Sequence, residues 1–179
     1  MRIAWIAAAA LLAAGAGAAP AMSQEPQMTV TPPQVPEDHA ALLASPDPKL
    51  AANKRLVYDM YRIVLQGGYA GRAGEFIRDD YVQHNPNAGQ GLAGVQDYIR
   101  KTRPERPLKD KLELPLINLI AEGDNVMTAF VRPEKDASGA TYYSTWFDLY
   151  RIEDGKIAEH WDPMLKSDAP VDPNTKTIK

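Results

Sequence analysis

Apolar side chains recur about every 3.6 residues after residue 47, and this period predicts an amphipathic helix over residues 48–66. The apolar positions on one face are Leu56, Val57, Met60, Tyr61, Val64 and Leu65. Asp47 can accept hydrogen bonds from the first turn, and Pro48 suits the first helical position, where an N–H would have no partner. Gly67-Gly68 predicts the end of this helix.

Two shorter helical patterns follow, and the period then changes to about two, which is typical of strands. The helices are expected at residues 73–78 and from Gly91 to the prolines at 104 and 107, and the strands at residues 112–121, 126–131, 141–152 and 156–162, with a polar loop at 133–139. Pro115 places the first strand at a sheet edge or a bulge. Helices followed by an antiparallel meander predict an α+β fold in which the helices cover one face of a curved sheet.

The two ends of the chain differ in composition from this central part. One basic residue, an uncharged apolar run and Ala-x-Ala triplets predict a secretory signal peptide at residues 1–21, and hence a periplasmic or secreted protein after bacterial export. A retained membrane anchor is the alternative, and it would need about 20 apolar residues. Residues 22–47 predict a proline-rich, solvated linker, residues 48–163 the folded domain, and residues 164–179 a polar, flexible tail.

The charge balance and the absence of cysteine exclude several classes of function. The 179 residues carry 20 Lys and Arg against 23 Asp and Glu, without any basic run, so a nucleic-acid partner is not expected. Without cysteine, the chain has no disulfide, no thiolate nucleophile and no Cys-type zinc or iron–sulfur site. No serine stands in a G-x-S-x-G motif either. Histidine and carboxylate chemistry remains.

Side chains that could carry such chemistry are concentrated in three polar and aromatic clusters, at residues 81–86, 146–150 and 159–162. In the second cluster, strand alternation puts Asp148 on one face with two aromatic neighbours. Burying an unpaired carboxylate costs several kcal/mol, so Asp148 is expected either to face solvent or to have hydrogen-bond partners in a pocket. A carboxyl in an apolar pocket suits a general acid or base near neutral pH.

The pairing of the last two strands decides which residues share that face, and the turn between them allows two registers. With Asp154-Gly155 as a two-residue type I′ turn, Asp148 lies opposite Trp161 and away from His160. With a bulge at the glycine, Asp148 lies opposite His160 and shares its face with Asp162. The second register is favoured because it collects three costly polar groups in one place.

Two motifs resemble the SnoaL-like polyketide cyclase family of the nuclear-transport-factor-2-like superfamily. The first is Y-x-Q-H-N-P at residues 81–86, followed by a glycine-rich helix start, and it is similar to a bacterial SnoaL-like branch. The second is F-D-L-Y-R-I-x-D-G-K-I-x-E-H-W-D at residues 147–162. The resemblance covers about residues 50–163. It implies a cone of three helices against a strongly curved antiparallel sheet, with a pocket in the open end.

The resemblance also implies a function. Cyclases of this family close a ring by intramolecular aldol condensation, with a His and an Asp in the pocket and no metal or organic cofactor, so the expected partner is a small hydrophobic carbonyl compound. The residues that match the acid/base groups are Asp148, His84, His160 and Asp162. Around them, ligand contacts are expected from Tyr81, Asn85, Trp146, Tyr150 and Trp161. Superfamily members often pair through the outer face of the sheet, which implies a homodimer.

The same residues have other interpretations. His84 could order the start of a loop, His160 could close the hairpin, and Asp148 could pair with an arginine. His160-x-Asp162 together with His84 has the composition of a two-His-one-carboxylate metal triad, although no metal is expected. Two functions therefore stay open: a cofactor-independent lyase or isomerase, and a non-catalytic periplasmic protein that binds a small ligand or a partner.

Overall fold

The computed structural model describes residues 33–166, in which helices cover one face of a five-stranded sheet. The α-helices are α1 (His39–Leu43), α2 (Pro48–Met60) and α3 (Gly91–Thr102), and the strands are β1 (Ile77–Gln83), β2 (Leu116–Glu122), β3 (Asn125–Lys135), β4 (Thr141–Glu153) and β5 (Lys156–Trp161). The predicted signal peptide lies outside the described residues, as do residues 22–32 of the predicted linker and 167–179 of the tail. Within the described range, no helix is long and apolar enough to cross a membrane.

The strands lie in the order β1-β5-β4-β3-β2. Strands β2 to β5 form an antiparallel meander, and β1 is added at one end, parallel to β5. Apolar side chains of α2 and of the inner strand face are buried together in one core. The predicted α+β fold with helices over a curved sheet is confirmed.

Helix α2 begins as the sequence predicts. The Asp47 carboxylate accepts a hydrogen bond from the Lys49 amide at 2.8 Å, and Pro48 is the first helical residue. The helix continues into a π-helical turn, Tyr61–Gln66, and ends at Gly67-Gly68. Such wide turns occur often at functional sites, and here the first residue of the turn, Tyr61, is buried beneath the sheet.

The segment after this helix differs from the prediction. The expected helix at residues 73–78 is a 3₁₀ turn, Ala70–Glu75, that leads directly into β1. The cause is non-local: β1 pairs with β5, which follows much later in the chain, and places Ile77 beside Ile157 and Gln83 beside His160. Tertiary pairing of this kind overrides local propensity.

The two strands at the other side of the sheet also have different ends from those predicted. β2 begins only at Leu116, although Leu112 and Leu114 are buried before it. β3 runs through Pro133 to Lys135, where the sequence predicts a loop. The amide of Val131 points toward β2 and donates to the carbonyl oxygen of Pro115. Because backbone nitrogens two residues apart in a strand point the same way, the nitrogen of Pro133 also points to that side, past the end of β2. A proline is tolerated there because no hydrogen bond is lost.

Part of the predicted linker is folded. Helix α1 is capped by Asp38, and its residue Leu43 is buried in the core. His39 bonds to the hydroxyl of Tyr58 at 2.7 Å, and Lys54 donates to the carbonyl oxygens of residues 42 and 44. The folded unit therefore begins before residue 48, because a short helix with one apolar anchor covers α2.

Replacing Leu43 with alanine is expected to lower the free energy of unfolding by about 2–3 kcal/mol, since a buried leucine leaves a cavity. Urea denaturation followed by circular dichroism measures this value. The control is Val35→Ala, which removes an exposed side chain in the same segment and should change stability by less than about 0.5 kcal/mol. Equal effects for the two variants would show that α1 contributes nothing.

Candidate active site

The hairpin between β4 and β5 combines features of both predicted registers. Asp154 and Gly155 have φ of +51° and +72°, as a two-residue type I′ turn requires, and Glu153 lies opposite Lys156. A bulge at Ala158 then shifts the pairing by one residue, so that Tyr150 lies opposite His160.

Both predicted registers are therefore wrong in part. The turn is not the favoured one, and Asp148 is not directly opposite His160. Because Tyr150 and Asp148 share the inner face of β4, however, the extra residue on β5 still brings His160 to the side of Asp148.

Asp148 and His160 form a buried pair on the inner face of the sheet. The imidazole Nε2 lies 3.0 Å from Asp148 Oδ1. The side chain of Asp148 is 4% exposed and that of His160 is 10% exposed. The Tyr150 ring stacks on the imidazole with 4.7 Å between ring centroids. A hydrogen bond of this kind places one proton between the ring nitrogen and the carboxylate.

Asp148 has two further hydrogen-bond donors. Trp146 Nε1 donates to Oδ1 at 3.0 Å, and the hydroxyl of Tyr61 donates to Oδ2. An ionised carboxylate has about four acceptor positions, so the three donors leave one position on Oδ2. Partners on both oxygens explain how a carboxylate can be buried in an aromatic environment.

Tyr61 connects Asp148 to the core beneath the sheet. Its hydroxyl accepts a hydrogen bond from Tyr150 at 2.8 Å and lies 3.3 Å from Thr128 Oγ1. These groups are almost completely buried. Because the Tyr150 hydroxyl uses its hydrogen on Tyr61, the Tyr61 hydrogen is left for the carboxylate.

Gln83 on β1 fixes the orientation of His160. The backbone amide of Asn85 donates to Gln83 Oε1 at 2.9 Å, which identifies this atom as the amide oxygen. His160 Nδ1 lies 2.9 Å from the same oxygen, so Nδ1 carries a hydrogen and Nε2 is the nitrogen that faces Asp148. The other end of the amide, Nε2 of Gln83, donates to the Tyr81 hydroxyl at 3.0 Å.

Asp162 lies at the mouth of the site, half-buried, just after β5. Its Oδ2 accepts from the Asn85 side chain at 2.6 Å, and its Oδ1 from the Met164 amide at 3.0 Å. The chain then passes the loop that follows β1, where Asn87 donates to the carbonyl oxygen of Leu165 at 2.8 Å. Asp162 therefore joins the end of β5 to the loop at the entrance.

These groups surround a cavity of about 120 Å³. Its walls are mainly apolar and aromatic, and among the described residues no lysine or arginine lines it. Its lining includes the side chains of Tyr81, Tyr98, Trp146, Asp148, His160 and Asp162. An apolar cavity of about 150 Å³ holds benzene in another protein, so this somewhat smaller cavity suits a ligand no larger than one small ring, with any further group outside its mouth.

Two predicted site residues lie on the opposite face of the sheet. Along β1 and just after it, Tyr81, Gln83 and Asn85 alternate inward, so His84 points outward. In β5, the bulge turns Trp161 outward as well. The two rings stack there, 4.6 Å apart. The expectation that they line the pocket is wrong.

His84 instead belongs to an outer ion-pair cluster. Its Nε2 lies 3.0 Å from Glu159, which also pairs with Arg151 at 2.7 Å. The hydrogen bond with His84 is the largest cause that holds the pKa of the Glu159 carboxyl below its usual range, and the hydrogen bond with Arg151 is the next. The structure gives His84 a surface contact on the far side of the sheet from Asp148.

Comparison with known proteins identifies the family of this chain. A family model described as a SnoaL-like domain matches residues 57–160, more than half of the chain. The chain belongs to the SnoaL-like domain family. No curated protein matches the chain.

Solved structures similar to this SnoaL-like chain come from several bacteria. TsrD from Streptomyces laurentii is 26% identical, with 66% of this chain and 90% of that chain covered and a TM-score of 0.47. A SnoaL-like polyketide cyclase candidate from Jannaschia sp. CCS1 is 17% identical, with 67% and 91% covered and a TM-score of 0.49. An LEH-like epoxide hydrolase from M. tuberculosis is 17% identical, with 62% and 80% covered and a TM-score of 0.45.

The polar residues of this SnoaL-like cavity also define where a metal could bind. Of the residues that the structure describes, Asp148, His160 and Asp162 could hold an ion, since their ligand atoms lie within 4.8 Å of one another. The metal alternative from the sequence needs His84, which lies on the other face. Each of the three side chains already has hydrogen-bond partners in the protein.

Three tyrosines of the SnoaL-like site have raised pKa values. Burial is the main cause for Tyr61, Tyr81 and Tyr150, and the negative charge of Asp148 adds to it in each case. All three therefore stay neutral over the ordinary pH range and act as hydrogen-bond donors or acceptors.

Because the pKa values of these three tyrosines are raised, the free energy of unfolding is expected to fall at alkaline pH. In the unfolded chain they ionise near pH 10, whereas in the folded protein they keep their protons. The stabilisation is complete below pH 10 and is lost as the pH rises through the folded pKa, by about 1.4 kcal/mol per pH unit for each group. Urea denaturation between pH 9 and 11 measures the slope. Tyr150→Phe should reduce this slope by the contribution of one tyrosine. The control is Tyr142→Phe, at an exposed tyrosine, which should leave the slope unchanged.

Tyr61 and Gln83 are site residues that the sequence patterns do not single out. Tyr61 lies in the apolar stripe of the helix predicted over residues 48–66, where a tyrosine looks like a core residue. Gln83 stands two residues after Tyr81, and this alternation could have indicated a strand with both side chains on one face.

Proposed function

We propose that this SnoaL-like protein is an acid/base lyase or isomerase that acts on a small hydrophobic carbonyl compound. The observation that carries the proposal is the buried Asp148–His160 pair at the inner end of an apolar cavity. Such a pair can accept and hold a proton next to a bound ligand, which is what chemistry at a carbon beside a carbonyl needs.

The cavity limits the substrate class. A ring of about the size of benzene takes up the whole volume of the cavity, so a polar group on that ring would extend through the mouth. The carboxylates of Asp148 and Asp162 face the cavity without a lining lysine or arginine. Ligands that carry a carboxylate or phosphate are therefore disfavoured, and a neutral ketone, aldehyde or ester is favoured.

Asp148 is the base in this proposal. The remaining acceptor position of Oδ2 takes the proton from the carbon next to the carbonyl. The electron pair of the broken C–H bond forms the enolate, and the carbonyl oxygen takes up the negative charge. In an isomerisation the proton returns to a different carbon. In an aldol closure the enolate carbon bonds to a second carbonyl carbon, whose oxygen then takes the proton.

His160 and Asp162 support this transfer from two sides. With Nδ1–H held by Gln83, Nε2 of His160 faces Asp148 Oδ1 at 3.0 Å and orients the carboxylate. Asp162 is half-exposed at the mouth, so it can exchange protons with solvent and return one to the product.

Exchange of carbon-bound hydrogen tests this function directly. The full chain is incubated with acetophenone in D₂O, and the methyl signal is followed by proton NMR. The protein is expected to accelerate its loss over buffer, and dialysis against EDTA is expected to leave the rate unchanged. Binding of the ketone without any acceleration would contradict the proposal.

A second candidate is a non-catalytic protein that binds a small ligand. The observation that favours it is that both nitrogens of His160, and both oxygens of Asp148, already have partners within the protein. Under this alternative the network only shapes the cavity. A ligand that binds and is recovered unaltered, together with unchanged exchange, supports the binder. The export predicted from residues 1–21 suits either function, and fractionation of the native host tests it.

We also propose that the protein pairs with a second copy through the outer face of the sheet. Large apolar side chains are exposed there, namely Val82, Ile120, Phe147 and Leu149. Phe147→Asp is expected to shift sedimentation at micromolar concentration from dimer to monomer. Leu165→Asp, at an exposed residue outside the sheet, is the control and should leave the mass unchanged. A monomeric wild-type protein would contradict pairing.

A further inference from the structure

We propose that the hydroxyl of Tyr81 is the hydrogen-bond donor that holds the carbonyl oxygen of the ligand. The proposal rests on the proposed function for the kind of ligand. Its own basis is a donor in the cavity that the protein itself does not use.

The phenol oxygen of Tyr81 accepts a hydrogen bond from the side chain of Gln83. The Gln83 amide cannot be turned around, because its oxygen already accepts from the Asn85 backbone and from His160 Nδ1, both at 2.9 Å. Its NH₂ group therefore faces Tyr81 and donates at 3.0 Å. Over residues 33–166 no other hydrogen bond of the Tyr81 side chain is present, so the hydrogen of the hydroxyl has no protein acceptor.

This hydrogen is buried where a ligand would bind. Tyr81 is 5% exposed and lines the cavity with Gln83, Asp148 and His160. A buried donor without a partner costs about 1–3 kcal/mol, and a ligand that brings an acceptor removes this cost. A carbonyl oxygen in the cavity is such an acceptor.

The other single-hydrogen donors around the cavity are already used or enclosed. Tyr61 and Trp146 donate to Asp148, and Tyr150 donates to Tyr61. The hydroxyl of Tyr98 has no hydrogen-bond partner within the described part of the chain either, but it is enclosed beside Arg103 and has almost no exposed surface. Tyr81 is the donor of this kind that remains available to a ligand.

Tyr81 acts as a donor and not as a base. Burial, and after it the charges of Asp148 and Asp162, raise its pKa, so the hydroxyl keeps its hydrogen. The hydrogen bond from Gln83 to the phenol oxygen also strengthens donation by the O–H group. Such a donor stabilises negative charge that develops on a carbonyl oxygen.

The donor and the base are two ends of one network. Hydrogen bonds run without a break from Asp148 through His160 and Gln83 to Tyr81. A proton that Asp148 accepts and an oxyanion that Tyr81 holds are thus connected within the protein, while the ligand lies between the two groups.

The test is infrared spectroscopy of acetophenone labelled with ¹³C at the carbonyl and bound to the full chain. In the wild-type protein the carbonyl stretch is expected at a lower frequency than in an apolar solvent. In Tyr81→Phe this shift is expected to disappear, and the Kd to rise about 2- to 10-fold. Tyr142→Phe is the matched control: it removes the hydroxyl of an exposed tyrosine outside the cavity and should leave the frequency unchanged.

Two results would overturn the proposal: an equal carbonyl frequency in wild type and Tyr81→Phe, or a wild-type protein that does not bind the ketone. If Tyr81→Phe does not fold, 3-fluorotyrosine at position 81 replaces it. The more acidic hydroxyl should lower the carbonyl frequency further, and an unchanged frequency counts against the proposal. The frequency is read without turnover, so a protein that shows the shift but no hydrogen exchange would refute the proposed function and leave the role of Tyr81 intact.

Discussion

Replacing Asp148 with asparagine is expected to lower the rate of hydrogen exchange on acetophenone about 10²- to 10⁴-fold, the usual contribution of a general base. The amide keeps the shape of the side chain, but it has no basic oxygen for a proton from carbon. It also turns an NH₂ group toward one of the donors Trp146, His160 and Tyr61. The free energy of unfolding is therefore expected to fall by about 1–3 kcal/mol. Proton NMR and urea denaturation measure the two effects.

Asp97→Asn is the matched control for this variant. Asp97 forms an exposed ion pair with Lys101 on α3 and is not among the residues that line the cavity. Its replacement should change neither quantity appreciably, since exposed pairs contribute little. An Asp148→Asn protein that is folded and exchanges hydrogen at the wild-type rate would remove Asp148 from the reaction.

Tyr61→Phe is expected to lower the free energy of unfolding by about 2–4 kcal/mol. The change removes one oxygen atom, but it leaves two buried groups without their partner: the hydroxyl of Tyr150 and Oδ2 of Asp148. Each group that is buried without a partner costs about 1–3 kcal/mol, and both residues are almost completely buried. Urea denaturation near pH 7 measures the loss.

Tyr150→Phe is the variant whose free energy of unfolding should be compared with that of Tyr61→Phe. Tyr150 is equally buried, but it is the end of the chain of hydroxyls and donates only to Tyr61. Its loss leaves Tyr61 bonded to Asp148, so a decrease of about 0.5–1.5 kcal/mol is expected. Equal decreases for Tyr61→Phe and Tyr150→Phe would mean that the position of a hydroxyl in the network does not matter.

Local sequence rules predict the parts of this fold whose causes are local. Asp47 and Pro48 begin α2 because capping depends on neighbouring residues alone. The burial of Asp148 on an aromatic face follows from alternation along β4. Strand β1 is different, since its partner is a distant strand and nothing near residue 77 encodes that pairing.

The same distinction explains the site. His84 and Trp161 stand in motifs of polar and aromatic residues, but the face that each occupies depends on strand pairing: β1 for His84, and the position of the bulge in β5 for Trp161. Both turn types tolerate Asp-Gly, and the bulge at Ala158 has no signal in the turn itself. Gln83 is found only when its two neighbours in space, Tyr81 and His160, are known.

The extra residue at Ala158 divides β5 into two parts that can change separately. On the turn side, Ile157 keeps the register of a tight hairpin and serves the core. Beyond Ala158, the chain presents His160 inward and Glu159 outward. If β5 paired without this bulge, the tight-hairpin register would continue and place Glu159 opposite Tyr150, with the acid in the cavity and His160 on the surface. The presence of one unpaired residue at Ala158 thus decides whether an imidazole or a carboxylate faces the cavity, without any change in the hairpin turn.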